Sequence, residues 1–330
     1  MDFSNQETSQ AFKSAKKVVE ENLQEETHKA QHISDVLGII KNQIDERFCK
    51  YQLTQKIELS GISTGFTKLD NLIDGFQPGH LITIGARPGV GKTWAALNFT
   101  YQISIKQRKK VLFISLEMSA EAITYRLLGI LSGINPKIIK RGSFNSEESK
   151  KIGIAYESLE KLSIYIIYDP SLSYLENLKT FIDECESDYD LIIIDHIGLI
   201  KTNAKDRVAQ VTEVTRYLKL LAVNRKIPVI ELAQINRGGD KPGMSKLSDL
   251  RESGSIEQDS DLIIFLYREF LYDKKADPNL VEFCIAKNRE GEEGIISFEK
   301  DSVWRLKEFS LQKKSTNSKK QDHYDYEAAV

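Results

Sequence analysis

Ala86-Arg87-Pro88-Gly89-Val90-Gly91-Lys92-Thr93 has the spacing of a phosphate-cradling loop, with Ala86 where a glycine usually opens it. In such a loop, backbone N–H groups converge on phosphate oxygens at the positive end of the helix that follows. Lys92 would meet the β- and γ-phosphates of a nucleoside triphosphate, and the Thr93 hydroxyl would ligate Mg²⁺. Asp195 closes the run Asp190-Leu-Ile-Ile-Ile-Asp195, so its carboxylate falls at the C-terminal end of a buried strand, where it can hold the hydration shell of that Mg²⁺. Glu117, in Ser115-Leu116-Glu117-Met118-Ser119, follows another apolar strand. A carboxylate there is either a general base for an attacking water or a solvent-exposed loop residue, and spacing alone leaves both open. His28, His32, His80, His196 and His323 share no ligand spacing and read as surface or packing residues, so magnesium is the one metal implied.

The elements that must position these groups are legible in the apolar pattern. Strands are expected at Leu81–Ile84, Val111–Ser115, Ile164–Tyr168, Leu191–Asp195, Val229–Leu232, Leu262–Tyr267 and Val281–Ala286, most of them separated by stretches of helical length. Near-continuous apolar strands alternating with helices imply an α/β fold with a mostly parallel sheet covered on both faces. The strands after Asp259 come closer together, which suggests an antiparallel edge. The phosphate loop follows the first strand and opens an apolar helix over Trp94–Ile105, the context its mechanics require. Before Gly61 the pattern is helical in two pieces, Ala11–His28 and Ile33–Phe48, the second with Ser34 as its cap and a stripe of Val36, Leu37, Ile40, Ile44 and Phe48. The expected organisation is a helical segment over residues 1–59, an ATPase domain over 60–311 and a disordered polar tail over 312–330.

At 330 residues with 46 basic and 48 acidic side chains, the formal charge is −2, so a polyanion would have to bind at a local basic patch or loop. The start is polar and acidic, unlike a signal peptide. The longest apolar runs are strand-sized, well short of the ~20 residues a membrane helix needs. Cys49, Cys185 and Cys284 show no zinc or redox spacing and read as packing residues suited to a reducing cytosol.

From about Ser60 to Phe309, some three quarters of the chain, the sequence resembles the C-terminal ATPase domain of DnaB-family replicative helicases. The resemblance is carried by Ser63-Thr-Gly-Phe-Thr-Lys-Leu-Asp70, Ala86–Thr93, Leu112-Phe-Ile-Ser-Leu-Glu-Met-Ser119, Ile194-Asp195-His196 and Leu232-Ala-Gln-Ile-Asn-Arg237. Leu247-Ser-Asp-Leu-Arg-Glu-Ser-Gly-Ser-Ile-Glu-Gln-Asp259, whose stretch from Asp249 to Asp259 is the most specific, and Ile285-Ala-Lys-Asn-Arg289 complete it. The resemblance implies a RecA-like P-loop fold and a homo-hexameric ring. It also implies hydrolysis of ATP with Mg²⁺ between subunits and 5′→3′ movement on single-stranded DNA into forked duplex. It makes Glu117 the catalytic glutamate, Asp195 the Walker B aspartate and Gln234 a sensor of nucleotide state. Arg251, Glu252 and Gly254 become the loop that lines the channel and meets DNA, and Lys287 and Arg289 a basic pair that reaches a neighbour's γ-phosphate. Period two in a strand places those two on one face, and chain order puts them at the far end of the sheet. A helicase loader or primase is an implied partner.

Two departures accompany the resemblance. His196-Ile197-Gly198 stands where many relatives have Tyr-Leu-Gln. The first sixty residues look like only the linker that follows the family's N-terminal domain, whose helix at Ile33–Phe48 would dock on an adjacent ATPase domain. The alternatives are a RecA- or RadA-like recombination ATPase, which shares the phosphate loop and Walker B strand, and a non-translocating DNA-binding replication accessory protein. Ser115-Leu-Glu-Met and Arg251-Glu-Ser-Gly-Ser-Ile-Glu-Gln favour the helicase.

Overall fold

The computed structural model describes residues 30, 32–55, 57–185, 188–235 and 254–309, and divides at Glu58/Leu59 into two compact units. The expected helix over Ala11–His28 and the polar tail lie outside the described residues.

Among the described residues of the first unit, the helix α1 (Ile33–Thr54) carries Ile33, Leu37, Ile40, Ile44, Phe48 and Tyr51 along one side, all of them exposed. It is longer than the apolar stripe predicts, and its cap is His32, not Ser34: the Ser34 N–H donates to His32 Nδ1. Cys49 is exposed on this helix, so it is not a packing residue.

In the second unit the chain runs α2 (Thr67–Ile73), β1 (Leu81–Ala86), α3 (Lys92–Gln107), β2 (Val111–Ser115) and α4 (Ala120–Ser132). It continues through α5 (Pro136–Arg141), α6 (Ser146–Glu160), β3 (Ile164–Tyr168), α7 (Leu175–Glu184) and β4 (Leu191–Asp195). Then come α8 (Arg207–Arg225), β5 (Val229–Gln234), α9 (Gly254–Asp259), β6 (Leu262–Tyr267), β7 (Leu280–Asn288), β8 (Gly294–Lys300) and β9 (Leu306–Glu308). The strands form one sheet in the order β3-β2-β4-β5-β1-β6-β7-β8-β9. Pairing is parallel from β3 through β6 and antiparallel from β6 through β9.

Alternate residues of the central strands feed two cores, as a doubly covered sheet requires. Ile82, Ile84, Ile193, Ile230 and Leu232 pack in one core with Leu97, Phe99 and Ile103 of α3 and Ile123 and Leu127 of α4. Leu81, Ile192, Ile194, Val229 and Ala233 pack in the other with Leu178 and Ile182 of α7 and Val214 and Leu218 of α8. The antiparallel edge holds two strands, β8 and β9, that the apolar pattern does not reveal. They also correct the position of β7: it is third from the edge, not last. Among the described residues no helix is long and apolar enough to cross a membrane.

Candidate nucleotide site

The parallel strands β1, β2, β4 and β5 end together, and Lys92, Thr93, Glu117, Asp195 and Gln234 gather there. In an open α/β sheet this edge is where ligands bind. Ser115 at the end of β2 pairs with Asp195 at the end of β4, and Ala86 at the end of β1 pairs with Gln234 at the end of β5. Ala86 still belongs to the strand and needs no left-handed backbone, which explains why alanine serves there. The chain turns next, with the Val90 N–H donating to the Arg87 carbonyl at 3.3 Å. Gly89 lies at φ +77° with open space around the place a Cβ would take, so its backbone is presented outward. Gly91 caps α3, its carbonyl accepting from the Ala95 N–H.

Lys92 and Thr93 open α3, and their chemistry differs. The Lys92 ammonium is buried with no hydrogen-bond partner. Burial pushes its pKa down, opposed by the charges of Asp195 and Glu117. A buried cation without a partner is costly, and an anion arriving at the helix N-terminus removes that cost. The Thr93 hydroxyl donates to Asp195 Oδ2 at 2.6 Å. Asp195 is 1% exposed, and burial raises its pKa against the opposing effects of the Thr93 hydrogen bond and Lys92. This hydroxyl and carboxylate fit Mg²⁺, which takes one or two protein oxygens and completes its shell with water and phosphate. Among the described residues no cluster of three or more His, Cys, Asp or Glu offers another metal site.

Glu117 projects from the loop after β2 with its side chain 63% exposed, and its Oε2 lies 3.9 Å from His196 Nε2. His196, expected to be a mere surface or packing residue, is therefore part of this site. Burial, with a smaller contribution from Lys92, pushes its pKa down to about 4, so it faces Glu117 as a neutral ring. Arg126 of α4 is another neighbour that the spacing of motifs does not reveal. Its guanidinium stands 5.0 Å over the Trp94 ring, and it is desolvated within the field of Asp195 and Glu117. The available signal is its place beside Leu127 in the core-facing stripe Ile123, Leu127, Ile130, where a charged residue needs a reason.

Gln234 leaves β5 exposed beside the phosphate loop, and the Ile235 N–H donates to the Ala86 carbonyl. Gly254 opens α9; Arg251 and Glu252 lie outside the described residues.

Lys287 and Arg289 are not at this edge. Lys287 pairs with Ile263 at the start of β6, and Ile82 of β1 pairs with the neighbouring Leu262. The pair thus lies toward the opposite end of the strands: Lys287 is level with Thr83 in the middle of β1, and the Arg289 N–H donates to the Asp261 carbonyl, just before β6 begins. Lys287 Nζ donates to the Glu257 carbonyl, and Arg289 Nη2 to the Gln258 carbonyl at 2.8 Å, so both reach the last turn of α9. Asp261, 2% exposed, binds Arg289 Nη1 at 2.9 Å, Lys219 Nζ at 2.6 Å and the Leu81 N–H at 2.8 Å.

Residues 61–305 match the model of the DnaB-like helicase C terminal domain family. The replicative DNA helicase DnaC of Bacillus subtilis is 38% identical over 291 residues, which are 86% of this chain and 63% of that protein. The replicative DNA helicase DnaB of Geobacillus stearothermophilus is 40% identical over 248 residues, 72% of this chain and 54% of that one. The chain therefore spans less than two thirds of the length of these relatives. A solved ATPase domain is 28% identical with a TM-score of 0.74, covering 86% of this chain and 100% of that one. A DnaB-like replicative helicase, solved for its interactions with primase, is 27% identical with a TM-score of 0.70, covering 90% of this chain and 75% of that one. The match runs through every strand that ends at the nucleotide site, and the chain belongs to the family of DnaB-like helicase C-terminal domains.

Proposed function

We propose that this chain is the motor of a ring-forming, ATP-driven replicative DNA helicase whose active sites are completed between subunits. One observation carries the reading: Lys92, Thr93 and Asp195 lie together at one end of the sheet, and Arg289, with Lys287 beside it on β7, toward the other. Each chain thus holds one half of a site on each side, the arrangement a ring needs.

In this reading the loop amides and Lys92 bind the phosphates of ATP, and Thr93 and Asp195 hold Mg²⁺. When bound, Mg²⁺ would supply positive charge that neutralises the phosphates. Glu117 accepts a proton from the attacking water, its exposed carboxylate free to reach a water at the γ-phosphate. Arg289 and Lys287 of one subunit stabilise the charge developing on the γ-phosphate held by the next. Gln234, at the end of β5, passes the state of the nucleotide on to Arg251. Arg251, Glu252 and Gly254 track the backbone of single-stranded DNA in the channel. The exposed stripe of α1 docks on the ATPase domain of a neighbour and steadies the ring. Primase or a loader is the expected protein partner, and the cytosol the expected compartment.

The test is strand displacement on a forked duplex with ATP and Mg²⁺, alongside a mass measurement with and without nucleotide. Unwinding from a 5′ tail by a hexamer supports the reading. Strand exchange would favour a recombinase, and DNA binding without ATP turnover an accessory protein.

A further inference from the structure

The two tryptophans of the chain, Trp94 and Trp304, lie stacked against the phosphate loop, with ring centroids 6.1 Å apart and planes within 8°. Trp94 stands two residues after Lys92 on α3. Trp304 comes from the turn between β8 and β9, and its six-membered ring covers the Cα of Gly91: a Cβ there would collide with Cζ3 and Cη2. The Trp304 indole therefore touches the chain on both sides of Lys92.

The turn is built to hold that ring in place. Trp304 has φ +63°, a left-handed conformation that a bulky residue keeps only where its surroundings enforce it. Its carbonyl accepts from Asn98 Nδ2 at 2.8 Å, and the Leu306 N–H donates to Asn98 Oδ1 at 3.0 Å, which pins the turn to α3 one helical turn beyond Trp94. Asp301 Oδ1 accepts from the Val303 and Arg305 N–H groups. Cations close the stack at both ends. Arg126 lies 5.0 Å over Trp94, while Arg268 and Lys300 lie 4.8 and 5.0 Å over Trp304.

We propose that Trp304 is a positioning residue for nucleotide binding: its ring, stacked on Trp94 and closed over Gly91, holds the phosphate loop in the form that presents Lys92 and the loop amides to phosphate. The inference rests on the nucleotide-site reading above. Gly91 lies at φ +121°, where glycine alone moves freely, so without the ring the loop gains conformations that phosphate binding must then remove. Trp304 reaches the loop at Gly91, whereas Glu117 and Asp195 come from the ends of β2 and β4, so the loss falls on binding and not on the chemical step.

The test is calorimetric titration of the full chain with Mg-ADP, together with ATP hydrolysis across substrate concentrations. Trp304→Ala should weaken ADP binding and raise the KM for ATP by ~10–100-fold, with kcat within about threefold of wild type. Trp304→Phe, which keeps a ring on Gly91 and Trp94, should recover affinity to within about threefold. Saturating ADP should also change the tryptophan emission of the wild-type chain, because both fluorophores border the loop.

Unchanged ADP affinity in Trp304→Ala, even with a lowered Tm, overturns the inference while leaving the nucleotide site intact. A wild-type chain that binds no ADP overturns the site reading itself. If Trp304→Ala fails to fold by circular dichroism, Trp304→Leu replaces it, with the same expected loss of affinity and the same contradiction if affinity holds. Tryptophan emission that stays constant at saturating ADP also counts against the proposal.

Discussion

Arg289 is bound to Asp261 by a 2.9 Å ion pair at the end of the sheet opposite Lys92. Asp261 is buried and also holds Lys219 and the Leu81 N–H, whereas Arg289 is 48% exposed, so one partner is fixed and the other reaches outward. Asp261 and the Gln258 carbonyl hold the two terminal nitrogens of the guanidinium itself, and in the proposed shared site this brace sets where the cation meets a neighbour. Asp261→Asn should release Arg289 and leave Lys219 without its anion. Because both cations retain some access to water, the stability cost is ~1–3 kcal/mol by chemical denaturation, less than for a fully buried pair. ATP hydrolysis should fall with it. Wild-type hydrolysis in Asp261→Asn would show that the brace is structural only.

At the phosphate edge, Lys92 and Glu117 should separate by phenotype. Lys92→Ala removes the cation on the phosphates from a site where electrostatic stabilisation dominates, and turnover should be lost. Glu117→Gln should still bind ATP while hydrolysing it ~10²–10⁴-fold more slowly. Nucleotide binding by calorimetry and phosphate release by a coupled assay distinguish the two. Normal hydrolysis in Glu117→Gln would make it a loop carboxylate and place the base elsewhere.

A pH effect on stability is expected from the middle of the sheet. Glu231 on β5 is fully buried, accepting from the Thr83 hydroxyl at 2.7 Å with its second oxygen unpartnered. Burial, with the nearby charge of Asp259 adding to it, pushes its pKa from 4.5 up to about 7. Between those values the folded chain keeps a proton that the unfolded chain has released. The contribution of this group is therefore fully present below pH 4.5, declines as pH rises and is lost above about 7. Glu231→Gln cannot ionise, so the gap in Tm between it and wild type should widen from pH 5 to pH 8, in favour of the variant. A gap that stays constant would mean that Glu231 is ionised throughout.

How much could be read from the residues depends on whether their contacts are local. The loop from Ala86 to Thr93 and the strand ending at Asp195 are contiguous, and their apolar patterns are unambiguous because both faces of those strands are buried. β8 alternates between buried and exposed and β9 has three residues, so neither produces an apolar run. Trp304 bears on Gly91 across most of the domain, and no spacing rule connects them. His196 carries no ligand spacing because it faces Glu117 from another strand end. Lys287 and Arg289 are visible as a pair, but which end of the sheet they occupy follows only from the antiparallel register of β7 on β6.

The central claim is that each active site is shared between two subunits, and mixing two inactive variants tests it most directly. Arg289→Ala alone should be nearly inert, since a cation of this kind is worth ~10³–10⁵ in rate, and Lys92→Ala inert through the other half of the site. After subunit exchange, some intact phosphate loops face intact Arg289 side chains, and ATP hydrolysis should partly return. A mixture that stays dead, although mass measurement shows mixed oligomers, would contradict the account.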